Sequence, residues 1–129
     1  MYVLAVTFGL LESPIQALER MAGFVEQIGR SRNIAFPLQM TLGVANGTRL
    51  FAVRYSSESQ SRTLYHRKNL HALSEIHPEA QSFPQDARCV VSKPLSDLSS
   101  EWEEIPESTV ILIENGSVQQ TPFVPRLPD

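Results

Sequence analysis

The chain's single cysteine, Cys89, lies inside the run RCVVS. A nucleophilic thiol needs a base beside it and an electropositive, partly exposed setting. No neighbour in sequence supplies that base, and free cysteine is among the most buried residue types. Cys89 therefore reads as a buried structural residue. His66, His71 and His77 are five and six residues apart, a wider spacing than the close pairs of zinc ligands. They read as surface or loop histidines, and neither a metal nor a cofactor is implied. Glu101, Glu103 and Glu104 flank Trp102. Paired carboxylates can move protons, but these follow Ser96, Asp97, Ser99 and Ser100, the composition of a solvated loop. Trp102 then fills a gap in the core. Arg54, Tyr55, Ser56 and Ser57 end one strand and open a loop, a place where binding groups are often carried. No base accompanies the serines, so the first reading is a plain strand terminus. Lys93, beside Pro94, is a charge at another strand end. The patterns GxGxxG, GxxxxGK[ST] and GxSxG are all absent.

The elements that must position these residues are legible in part. Ser13-Pro14-Ile15-Gln16 is a helix start, with Ser13 as N-cap, Pro14 at the first helical position and Gln16 completing a capping box. Ile15, Leu18, Met21, Ala22, Val25 and Ile28 then recur at offsets of three and four, one face of a helix that stops near Gly29. Glu19, Arg20, Glu26 and Gln27 fall on its other faces. Residues 2–10 form either a preceding helix or a buried strand, and the short link through Glu12 favours a helix–turn–helix. From residue 38 the pattern changes. LQMTLGVA (38–45) and TRLFAVRY (48–55) read as strands joined by Asn46-Gly47, a dipeptide that supplies the positive φ angles of a tight hairpin. The second of these strands has apolar residues on both faces, so both are expected to be covered. Further strands are expected at 63–67, 88–92, 109–114 and 117–123, the last two joined by Asn115-Gly116. Residues 69–86 read as irregular, 96–107 as an acidic loop, and 124–129 as a frayed tail. Helices followed by antiparallel strands with two NG hairpins make an α+β chain.

The bulk numbers narrow the function. A chain of 129 residues bounds a single domain, 1–129. With 42% of residues hydrophobic and 19% charged, disorder of the whole chain is excluded. Eleven Lys plus Arg against 14 Asp plus Glu give a net charge of -3, which is no footprint for nucleic acid. One cysteine leaves no internal disulfide, which suits a reducing compartment. MYVLAVTFGLL (1–11) lacks the basic region and cleavage site of a secretion signal. It is also shorter than the ~20 apolar residues of a membrane span. The expectation is a cytoplasmic chain with no membrane or nucleic-acid partner, whose apolar start needs something to pack against.

Four segments taken in order carry a resemblance: LAVTFGLLESPIQALERM, TLGVANGTRLFAVRYSS, CVVSKPLSD with Trp102 following, and IPESTVILIENGSVQQTPF. Together they cover most of residues 4–123. The ordered set resembles the C-terminal half of class II glutamine amidotransferases of the small, stand-alone type. That resemblance implies part of an Ntn-hydrolase-like αββα sandwich. It also implies a family chemistry in which glutamine is hydrolysed to glutamate and ammonia by a cysteine at the mature N-terminus. There a thiolate attacks the amide, and the terminal amine, with a reference pKa of about 8, handles the proton.

The sequence departs from that pattern at the nucleophile. Residue 2 is Tyr, and no Cys precedes Cys89. No catalytic residue is carried over, and the chain is expected to be inactive unless an N-terminal half completes it. What the resemblance places here is scaffold and the edge of a pocket: Arg54, Tyr55, Ser56 and Ser57 at one strand end, Ser92 and Lys93 at another. The alternative expectation is a non-catalytic binding or structural module, paired as a homodimer that covers its apolar surface and sheet edges. A third is a hydrolase of another class built on Cys89 or a histidine.

Overall fold

The computed structural model describes residues 1–67, 69–94 and 101–128. Two helices open the chain, α1 (Tyr2–Thr7) and α2 (Pro14–Ser31). The short apolar run that allowed either helix or strand is thus helical. Pro14 fixes the start of α2, and Ser13 holds the N-cap position, its carbonyl accepting from the Ala17 N–H at 2.9 Å. The Ser13 hydroxyl makes no capping bond, so the expected capping box does not form. A proline at the first position needs no donor satisfied and already has helical φ. The helix also runs past Gly29. A side chain at Gly29 would collide with the Pro37 ring, so this glycine is a point of close packing rather than a stop. The stop is Asn33, at φ 61, with Ile34 N donating to Gly29 O at 2.9 Å and Asn33 N to Arg30 O at 3.0 Å. That pair of bonds is a Schellman motif closed by an asparagine.

Seven strands follow among the described residues: β1 (Gln39–Ala45), β2 (Arg49–Ser56), β3 (Tyr65–Arg67), β4 (Cys89–Val91), β5 (Trp102–Glu104), β6 (Thr109–Glu114) and β7 (Ser117–Pro122). All pairings are antiparallel, in a four-stranded sheet of order β1-β2-β6-β7 and a three-stranded sheet of order β4-β3-β5. β5 corrects the acidic-loop reading, whose residues 96–100 lie outside those described. The stretch 69–86, expected to be irregular, holds two 3₁₀ segments, His71–Glu75 and Pro78–Ser82.

The register explains the layers. Along β2, Val53 and Tyr55 join Met40, Val110 and Phe123 beneath Leu18, Met21 and Ala22 of α2. Ala52 on the opposite face meets Ile111, Ile113, Leu64 and Ile105, with Leu50 and Val90 packed beside them. On the outer side of the small sheet, Trp102 meets Leu70, Leu73 and Ala80, with Tyr65, Cys89 and Val91 alongside. The molecule is therefore layered as helices, four-stranded sheet, three-stranded sheet and 3₁₀ segments, which accounts for β2 being buried on both faces. Each fully buried Val, Ile or Met contributes roughly 1.5–3 kcal/mol.

The two NG turns differ. Asn115 (φ 48) and Gly116 (φ 72) both take positive φ between the paired Glu114 and Ser117, as a two-residue type I′ turn requires. At the first turn Gly47 alone has positive φ (94). Asn46 acts there through its side chain, Oδ1 accepting from Thr48 N (3.2 Å) and Arg49 N (2.9 Å).

Residues 124–126 of the segment expected to fray are held against α2. Val124 N donates to Glu19 Oε1 at 3.1 Å, Arg126 N donates to Glu19 O at 3.0 Å, and the Arg126 guanidinium pairs with Glu19 at 2.9 Å. Gly23 lets the Arg126 backbone lie directly against α2, where any side chain would overlap it.

Candidate functional site

Arg54 sits on the face of β2 that looks toward the small sheet, and it is 7% exposed. Its Nη1 donates to Glu104 Oε1 at 2.7 Å and to the Ile105 carbonyl at 2.6 Å. Nη2 reaches Glu107 Oε1 at 3.3 Å and Nε donates to Ser61 Oγ at 3.1 Å. The same Glu107 oxygen accepts from Ser61 N (2.6 Å) and Ser61 Oγ (2.8 Å). One guanidinium thus ties β2, the loop after it, β5 and the approach to β6 into one node. A planar fork with five donors is the side chain suited to that task.

Tyr55 points the other way, toward α2. Its hydroxyl donates to Glu26 Oε1, which also accepts from Ser57 Oγ at 2.7 Å. Arg30 pairs with the other Glu26 oxygen at 2.9 Å. Burial pushes the Tyr55 hydroxyl pKa well up, and the adjacent Glu26 charge adds to the rise. Ser56 Oγ accepts from Glu58 N at 3.1 Å. The strand terminus read from the sequence is therefore the meeting point of two buried polar networks, one facing each layer.

Ser92 and Lys93 lie elsewhere. The Ser92 carbonyl accepts from Thr63 Oγ1 at 2.9 Å. Ser92 also borders a groove of about 280 Å³ lined by Thr41, Leu42, Gly43, Leu64, Val90 and Val91 among others. Lys93 is exposed. The structure keeps the Arg54–Ser57 group together and sets Ser92 and Lys93 at the end of β4.

Cys89 is half-buried, and burial pushes its thiol up while the Arg67 charge opposes the shift. A thiol held protonated is a poor nucleophile. Arg67 is 1% exposed, stands 5.4 Å from the Trp102 ring centroid and pairs with Glu101. His66, expected at the surface, is 3% exposed in β3, with Nε2 3.4 Å from Glu103. His77 is exposed. Among the described residues no three His, Cys, Asp or Glu side chains converge as a metal site would require, and no helix is long and apolar enough to cross a membrane.

The sequence reading missed the acidic partners. Glu19 and Glu26, which fall on faces of α2 other than its apolar stripe, are 3% and 5% exposed. The signal was present: Glu19, Gly23, Glu26 and Arg30 fall at i, i+4, i+7 and i+11, a single line along the helix. A glycine inside that line marks where another backbone lies.

No family model matches the chain, and no curated protein does. Among solved structures it is similar to a glutamine aminotransferase class-II domain protein from Silicibacter pomeroyi, at 25% identity and a TM-score of 0.79. The match covers 97% of this chain and 50% of that one, so the chain spans about half the length of the structure it resembles. The molecule assembled from these hairpins and helices has a class II glutamine amidotransferase-like fold.

Proposed function

We propose that this chain is the second half of a class II glutamine amidotransferase-type domain, an Ntn-hydrolase αββα sandwich of which it supplies scaffold and pocket edge. The observation that carries this reading is the fold likeness across nearly the whole chain to only half of a domain protein of that class. The layering of helices, two antiparallel sheets and outer 3₁₀ segments supports it. In this reading a cysteine from the other half attacks the glutamine amide, releasing ammonia, and water then releases glutamate from the acyl-enzyme. Arg54, Tyr55, Ser56 and Ser57 fix the β2 end that the pocket abuts, and Ser92 and Lys93 stand at its rim. Arg54 and Tyr55 act by holding layers together, since their polar groups are spent on Glu104, Glu107 and Glu26.

The test is ammonia release from glutamine. The purified chain alone is expected to release none. The chain joined to a first half bearing an N-terminal cysteine is expected to release it, and changing that cysteine to alanine to abolish it. Ammonia from the isolated chain would overturn the reading and turn attention to Cys89.

A further inference from the structure

The four-stranded sheet has two free edges, and they are built differently. Among the described residues β1 pairs only with β2, and β7 only with β6. In an antiparallel ladder, residues bonded to the partner alternate with residues whose N–H and C=O point away from it. Asn46 N donating to Arg49 O at 3.2 Å and Ser57 N donating to Leu38 O at 2.8 Å set the phase of β1. Gln39, Thr41, Gly43 and Ala45 therefore turn their backbone groups outward. In β7 the Asn115-Gly116 turn, and Phe123 N donating to Ser108 O at 2.8 Å, place Val118, Gln120 and Pro122 outward. Pro122 has no N–H to offer, and an edge proline blocks a further strand. The β7 edge is closed, and the β1 edge is open.

Apolar surface follows the open edge. Val44 and Ala45 of β1 share a cavity of about 130 Å³ with Tyr2, Leu10 and Leu11. Tyr2, Val3, Val6 and Leu11 are exposed. On the other side of the sheet, Thr41 and Gly43 share the groove with Val90, Val91 and Ser92, and β4 is itself an edge of the small sheet. Helix, open edge, groove and second edge form one continuous side that crosses the layers. The structural neighbour carries as much chain again beyond the part this protein matches.

We infer that this side is the seam, with a strand of the complementary half adding to β1 and apolar side chains of that half covering Tyr2, Val3 and Val6. The inference rests on the half-domain reading and adds where the halves meet. Backbone bonding along β1 gives the strand its affinity, and the flanking apolar surface gives it its partner.

The experiment joins the half of the Silicibacter pomeroyi protein that lies outside the match to this chain, ahead of Met1, through a flexible linker. The tether keeps weak docking at high effective concentration. Amide hydrogen exchange is then compared with that of the chain alone. Thr41, Gly43 and Ala45 are expected to slow roughly tenfold or more, with Val118 and Gln120 unchanged. Gly43→Pro in the tethered protein removes an outward N–H without touching the β1–β2 ladder. A Cβ at Gly43 makes only ordinary contact, 3.6 Å from Leu50 Cδ1. It is expected to restore fast exchange at Thr41 and Ala45 while Leu42 and Val44 stay protected, and Gly43→Ala is expected to behave as the parent. Slowing at Val118 and Gln120 with none at β1 overturns the seam and leaves the half-domain reading standing. No slowing at either edge overturns both.

Discussion

The Tyr55 hydroxyl reaches Glu26 across the helix–sheet interface, and its removal leaves a buried carboxylate short of a donor. Tyr55→Phe is expected to destabilise the fold by about 1–3 kcal/mol in denaturant titration, the cost of an unsatisfied buried acceptor. The pH dependence follows from the same contact. The folded pKa of Tyr55 lies above its unfolded value of about 10. Its contribution is therefore fully present below pH ~10 and is lost as pH rises above that, because the unfolded chain gives up the proton first. A stability curve falling at alkaline pH, with a shallower fall in Tyr55→Phe, is the expected result. Cys89 shifts in the same direction: burial pushes its thiol up and favours the protonated form. A thiol-alkylating reagent is expected to label it much more slowly in the folded chain than in denaturant. At this scale the sequence showed the polar cluster but not its partners. Glu26 lies 29 residues from Tyr55, and Glu104 lies 50 from Arg54. No local pattern announces a contact of that length.

Elements were legible where their signal was local. The α2 apolar stripe and both NG hairpins depend on neighbours in sequence, and all three were read correctly in kind. β5 was not, because its three residues expose Glu103 and Glu104, and the strand exists only through pairing with β3. The C-terminal segment was missed for a similar reason: nothing between Val124 and Arg126 has periodicity, and its order comes from Glu19 and the bare backbone at Gly23. That makes Gly23 the sensitive point. Gly23→Ala is expected to lift the segment from α2, costing about 1–3 kcal/mol, the range for overpacking. Limited proteolysis should then cut near Arg126 faster than in the parent, with the sheet amides unchanged. If the cut site stays protected, the tail is held by something other than this close approach.

For the molecule as a whole, Tyr2, Val3 and Val6 leave apolar side chains exposed on one short helix. Val3→Asp is expected to lower binding of a fluorescent hydrophobic dye while leaving the melting temperature nearly unchanged, since Val3 is 76% exposed. The α+β class was readable because helix and strand periods occupy different parts of the sequence. The sheet order was not, since the pairing of β2 with β6 joins Arg49 to Glu114 across the whole small sheet. That long-range pairing has a kinetic consequence. β1–β2 and β6–β7 are hairpins that close over a few residues and can form within microseconds. Bringing β2 to β6 closes a loop of about 50 residues, an entropic cost of about 3.5 kcal/mol. The slow event in folding is therefore the meeting of two ready hairpins rather than the making of either. Substitutions at Val53 and Val110, which face each other across that join, should change the folding rate more than substitutions in either turn.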